Sequence, residues 1–178
     1  MIHLEDDTIV SHDFFSYMDW GIRQAKENHD IFAVCGMISK QHKPWYKLNN
    51  NPHESFLADH FECQGGWAMT NEEADNILLM GGPFGVHGNT NYGGDDVDPE
   101  DWKKHLMITN KGSWAWPFNK YFKRDKKVIL PMLSRGNNIG DERGVFNPGK
   151  QWHADHIWDD SWLGSKEIKY VIHEYKLV

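Results

Sequence analysis

Cysteine is scarce: two in 178 residues, Cys35 and Cys63, with no CxxC pair. That excludes a disulfide-stapled scaffold and a cysteine-rich zinc site. No apolar run reaches the length of a membrane span, and the opening MIHLEDD carries acid where a signal peptide carries base. Basic residues are not in excess either. Nineteen Lys and Arg against 26 Asp and Glu give a formal charge of -7, so the chain as a whole is a poor grip for a nucleic-acid backbone, although a local basic patch stays open. There are no internal repeats, and no strand, glycine-rich turn and helix at the start of the kind that opens a doubly wound sheet. Aromatic residues, in contrast, are plentiful, with nine Trp and nine Phe. With 39% hydrophobic and 25% charged residues, the composition is that of a folded domain. The expectation is one soluble, cytoplasmic domain over residues 1–178, with an aromatic core or an aromatic-lined cleft.

The pattern of apolar residues predicts an α/β arrangement with about four strands. Ile2 and Leu4 alternate with His3 and run into Glu5-Asp6-Asp7, a short strand ending in acid. Ser11 is placed to cap a helix bearing Phe14, Met18, Ile22 and Ala25 at helical spacing. Ile31–Cys35 reads as a buried strand, and residues 40–56, polar with Pro44, Pro52 and three consecutive Asn, as a long loop. Thr70-Asn71-Glu72-Glu73 is a capping-box pattern for a helix through Ala74, Ile77 and Leu78. Residues 81–96 read as irregular, and Asp98-Pro99-Glu100-Asp101 as a helix start with Trp102 and Leu106 buried. Val128–Leu130 and part of 168–178 complete the strands.

The acidic triplet at a strand end is the first chemical signal. Clustered carboxylates repel and are costly to bury unpaired, so a cation at that point is one reading and a solvated turn the other. A hard divalent ion, Mg²⁺ or Mn²⁺, shares its shell between carboxylates, water and phosphate oxygens.

The stretch LEDDTIVSHDFFSYMDWGI (residues 4–22) resembles the metal-motif segment of GT-A-fold glycosyltransferases. Three further blocks resemble that family in the same order. They are IFAVCGMI (31–38), the aromatic-and-glycine block FECQGGWAMT (61–70), and KGSWAWPFNKYFKRDKKVILPMLSRGNNIG (111–140) with its Trp-containing helix, apolar-Pro strand and Asn-Ile-Gly turn. The resemblance implies a partial GT-A fold, a mixed sheet with flanking helices, and metal-dependent transfer of a sugar from a nucleoside-diphosphate sugar to a hydroxyl. It implies Asp7 as metal ligand, with Glu5 and Asp6 near metal-bound water, ribose or sugar. Gly66, Trp67 and Trp114 would line the donor and acceptor cleft, although both tryptophans can equally be packing residues. Asn138 and Gly140 would shape a turn. His153 and His156, three apart with Asp155 between them, would add a metal or diphosphate contact, or else lie on a solvated loop. Residues 141–178 would form a C-terminal flap or strand extension.

Two departures qualify the resemblance. Relatives carry an acid in or beside the Trp-containing helix, whereas this chain has Gly112-Ser113-Trp114-Ala115 there. The base that deprotonates the acceptor then falls to Asp95, Asp96, Asp98 or Asp101, or to Glu72 or Glu73, for which helix capping is the other role. The family's N-terminal, nucleotide-binding third also has no counterpart, and the expectation is a separate partner chain that supplies it, as in a split enzyme. Inversion of the anomeric centre follows by analogy alone. The acceptor is open. Lys120, Lys123, Arg124, Lys126 and Lys127 form a basic run that fits either a solvated face or contact with hydroxylated DNA. The rival class is a non-catalytic binding subunit, with a metal-dependent hydrolase as a more distant third.

Overall fold

The computed structural model describes residues 1–5, 8–38, 53–62, 65–79, 118–138 and 170–173. Its centre is a six-stranded sheet. The elements, in chain order, are β1 (Ile2–His3), β2 (Thr8–Val10), α1 (Phe14–Glu27), β3 (Ile31–Cys35), β4 (Glu54–Ala58), β5 (Trp67–Ala68), α2 (Asn71–Leu79), a π-helical turn (Phe118–Phe122), β6 (Lys127–Pro131), β7 (Gly136–Asn138) and β8 (Val171–His173). The sheet order is β1-β5-β3-β6-β4-β8, with β2 and β7 forming a separate ribbon. Pairing is antiparallel for β1/β5, β5/β3 and β6/β4, and parallel for β3/β6 and β4/β8. Consequently β1, β3 and β6 run one way and β4, β5 and β8 the other.

Side-chain alternation splits the core between the two faces of this sheet. Val128 and Leu130 join Phe32, Phe56, Phe61, Trp67 and Phe118 on one face, together with Ile77 of α2. Ile129, Val34 and Ala68 point the other way, onto Phe14, Tyr17, Met18 and Ala25 of α1. The strict period of two slips in β3, where the register with β6 shifts between Ile31 and Ala33. Phe14, Tyr17 and Met18 are fully buried, each worth about 1.5–3 kcal/mol as apolar burial. Gly21 lets α1 lie flat on the sheet, since a Cβ there would meet the branched side chain of Val34 at 2.5–2.7 Å. No helix among the described residues is long and apolar enough to cross a membrane.

Several expectations change. Eight strands are described where about four were expected. Residues 54–56, expected in a loop, belong to β4, which pairs on both sides with β6 and β8. Its sequence ESFLA is buried by long-range neighbours, and nothing in its local pattern announces this. Ser11 is not the helix cap. Asp13 stands at that position, makes no capping bond of its own, and accepts a hydrogen bond from Ser11 Oγ. Its carboxylate is taken by a cation, described below. Asn138 lies in β7 opposite Thr8, in a strand rather than a turn. The capping of α2 is observed as expected, with Glu73 N–H donating to Thr70 Oγ1 at 3.1 Å. However, the Glu73 carboxylate pairs with Lys126, and Leu78 is exposed. Only Ile77 of that helix is buried.

Candidate functional site

The strand directions bring separate parts of the chain to one end of the sheet. The carboxyl ends of β1, β3 and β6 lead there to Glu5, Gly36 and the 132–136 connection, and Gly65-Gly66 enters β5 at the same end. Ligands of open α/β sheets bind outside strand carboxyl ends, and three of the six strands finish here. The glycines approach one another closely. Gly36 N–H donates to Gly66 C=O at 2.8 Å, and Arg135 N–H to Gly36 C=O at 2.6 Å. Gly66 has φ +85, and a Cβ there would sit 2.6 Å from Phe14 Cζ and 3.0 Å from Leu4 Cδ1. A Cβ on Gly136 would sit 2.9 Å from the Gly65 carbonyl carbon and 3.0 Å from its Cα. The result is a tightly packed glycine floor, in which the space that side chains would take is filled by Phe14, Met18, Met37, Leu4 and the Gly65 backbone.

Glu5 follows Leu4 directly. It is half-buried, and its carbonyl accepts from Thr8 N–H at 3.3 Å where the chain passes from β1 to β2. The ribbon of β2 and β7 then pairs Thr8 with Asn138, Ile9 with Asn137 and Val10 with Gly136. The residues on either side of Asp6 and Asp7 are thus held, by β1, which ends the large sheet among the described residues, and by β2 in the ribbon.

Trp67 is 3% exposed and belongs to the core of the α2 face. Its ring stacks on His3 with centroids 5.0 Å apart and meets Phe61 edge-on at 5.5 Å. Burial lowers the His3 pKa, which favours the neutral imidazole on that aromatic face. Of the other expected site residues, Asp6, Asp7, Asp95, Asp96, Asp98, Asp101, Trp114, His153 and His156 lie outside the described residues. Among the described residues, no three His, Cys, Asp or Glu side chains are grouped as a metal site requires.

The basic run is largely committed within the protein. Lys123 is buried and its Nζ donates to the carbonyls of Arg124 and Lys126 at 2.9 and 2.8 Å, closing the end of the π-helical turn. Burial lowers its pKa. Lys126 pairs with Glu73 and Lys127 with Asp59. Three of the five cations are therefore held by groups of this chain rather than presented together to a polyanion.

Two features of this end of the molecule were not read from sequence. Glu62, between Phe61 and the glycine pair, is buried, with Oε1 3.8 Å from His60 Nε2. More central is a buried ion pair between Asp13 and Arg135, residues 122 apart in the chain, with Arg135 Nε donating to Asp13 Oδ2 at 2.9 Å. Tyr170 OH donates to the same oxygen at 3.1 Å. An isolated acid at the cap position of a helix and an isolated Arg after a strand give no local sign of their pairing. A cavity of about 320 Å³ lies elsewhere, at the start of β3, lined by Lys26, His29, Thr70, Glu72 and Glu73 among others. No family model matches the chain, and no curated protein matches it in sequence.

Proposed function

We propose that this chain is a metal-dependent glycosyltransferase of GT-A type, moving a sugar from a nucleoside-diphosphate donor to a hydroxyl acceptor. One placement carries the reading. The strand that leads into Glu5-Asp6-Asp7 ends beside a floor of four closely approaching glycine backbones, at the end of the sheet where β1, β3 and β6 finish. The acidic triplet follows this strand directly in the chain, and its first residue, Glu5, is half-buried there.

In this reading Asp7 holds Mn²⁺ or Mg²⁺, with His153 or His156 as a further ligand, and Glu5 and Asp6 face the ribose or sugar. The ion would offset diphosphate charge as the glycosidic bond breaks. Gly66 would lie against the donor, with Trp67 packed beside it in the core and Trp114 toward the acceptor. One carboxylate among Asp95, Asp96, Asp98 and Asp101 takes the acceptor proton as its oxygen bonds to the anomeric carbon and the diphosphate leaves.

The partner expected to bring the nucleotide-base pocket finds support at β1. Met1 and Met69 exchange both backbone hydrogen bonds, and antiparallel alternation then turns the peptide groups of Ile2 away from β5. Among the described residues β1 pairs with β5 alone, and Ile2 and Leu4 are each 41% exposed. A strand of a second chain can pair along this edge. The burial of Lys123 and the pairing of Lys126 with Glu73 weigh against a DNA acceptor.

The test is Mn²⁺-dependent hydrolysis of a panel of nucleotide sugars by the chain with whatever co-purifies with it, beside Asp7→Asn. Turnover in the parent, lost in the variant with an unchanged melting curve, supports the proposal. Turnover equal in both removes Asp7 as ligand. Donor binding without turnover in either leaves the non-catalytic binding subunit as the better description.

A further inference from the structure

The Asp13–Arg135 pair is unusual in its burial and in what it joins. Asp13 is 4% and Arg135 1% exposed. Every oxygen of the Asp13 carboxylate is used: Oδ1 accepts from Ser11 Oγ at 2.6 Å, and Oδ2 from Arg135 Nε at 2.9 Å and Tyr170 OH at 3.1 Å. Arg135 Nη1 donates to Leu133 C=O at 3.0 Å, and the guanidinium carbon lies 4.1 Å from the Tyr17 ring centroid and 5.3 Å from that of Tyr170. Tyr17 OH in turn lies 3.1 Å from Ser55 Oγ of β4. The backbone of Arg135 makes the corresponding ties. Its N–H donates to Gly36 C=O, and its C=O accepts from Ser11 N–H at 2.8 Å.

A buried ion pair is a weak source of stability, because desolvating both charges offsets most of their attraction, and well-packed apolar replacements are often neutral or better. What such a pair does supply is a single arrangement, since each charge leaves its partner only at high cost. Here that arrangement joins the residues after β2, the end of β3, the β6–β7 connection and the residue that opens β8. These segments border the glycine floor, the ribbon beside the acidic triplet, and the C-terminal chain that arrives from His153 and His156.

We infer that Asp13 and Arg135 are positioning residues that hold the β2–β7 ribbon, whose first strand follows the acidic triplet in the chain, at a set place beside the glycine floor. Tyr170 ties the C-terminal segment to the same point. The link to metal binding rests on the proposed function, and the fixing of the ribbon does not.

The experiment uses the full chain and the double variant Asp13→Leu/Arg135→Met, with Tyr170→Phe as a milder second variant that keeps the ring over Arg135. Amide exchange is followed in residues 8–10 and 136–138, against β3 and β6 as internal references. Mn²⁺ affinity is measured by titration of the metal alone. The expected result is exchange in the ribbon faster by about tenfold in the double variant with the reference strands unchanged, and Mn²⁺ affinity weaker by about tenfold. Tyr170→Phe shifts both in the same direction and by less. Unchanged ribbon protection in a folded variant overturns the inference. A loosened ribbon with Mn²⁺ affinity equal to that of the parent upholds the fixing of the ribbon and overturns its link to metal binding. If the double variant does not fold, Tyr170→Phe decides by the same two readouts. A parent that binds no Mn²⁺ removes the metal from the proposed function, while ribbon exchange still decides whether the pair positions it.

Discussion

Replacing Gly136 by alanine tests the closeness of the backbones at the proposed site. The new Cβ would lie inside the carbonyl group of Gly65, 2.9 Å from its carbon and 3.0 Å from its Cα. Both sides of this clash are backbone, so no rotamer change relieves it. The obstacle is hard to move. Arg135, one residue earlier, is fastened through its N–H to Gly36 and through its side chain to Asp13, and Gly65 itself has φ +69. Relief requires displacing β7 or the Gly65-Gly66 turn, a form of overpacking that costs about 1–3 kcal/mol. For a chain of this size that corresponds to a fall in Tm of about 2–12 °C. Thermal unfolding followed by circular dichroism reads this directly. Gly21→Ala, which clashes with Val34 in the middle of α1, is the comparison. Both variants should be less stable, and only Gly136→Ala should also alter Mn²⁺ or donor binding at temperatures where both are folded. A Gly136→Ala protein that melts within a degree of the parent would refute the close approach and, with it, the floor on which the proposed function stands.

Thr70→Ala removes the hydroxyl that receives Glu73 N–H. It should cost about 1 kcal/mol, seen as a small drop in Tm and faster amide exchange in the first turn of α2. Alkaline stability should be limited by two tyrosines. Burial raises the pKa of Tyr17 and takes that of Tyr170 to about 12 from an ordinary 10.0. Since the folded chain holds protons that the unfolded chain releases, this stabilisation is complete below pH 10 and is lost as pH rises from 10 toward 12. Absorbance titration should show these two phenols ionising only with unfolding, and ionisation of all six tyrosines in a single step with the fold intact would contradict it. His3 works in the opposite range. Its lowered pKa means that the unfolded chain gains a proton first as pH falls below 6.5, so Tm should decline there, and less so in His3→Phe.

Much of the framework was legible in local pattern. The run at Ile31–Cys35 is a strand with those limits and is wholly buried, because five apolar, mostly β-rich residues bounded by polar ones have few other places to go. Val128–Leu130 lies within β6, and the Thr70 cap opens α2, since both signals are short-range. The failures share a cause. β4 and the two-residue strand β5 are strands only because distant partners supply their hydrogen bonds. Leu78, apolar and in phase, is exposed because α2 presents a narrow stripe to the sheet, with Ile77 as its only buried side chain. Ser11 resembled a cap until a residue 124 positions away recruited its neighbour Asp13.

The sequence by itself determined the class of the protein: an α/β chain with an acidic strand end, a Gly-Gly-Trp block and an aromatic core, properties that reside in residue types and short spacings. Tertiary structure alone decided which of those residues meet. Parallel and antiparallel pairing carried Gly36, Gly65, Gly66 and Gly136 to one end of the sheet, turned Trp67 onto His3, paired Lys126 with Glu73 and Lys127 with Asp59, and joined Asp13 to Arg135. Those contacts span tens to more than a hundred residues, and their energies depend on burial and direction, which no local pattern encodes.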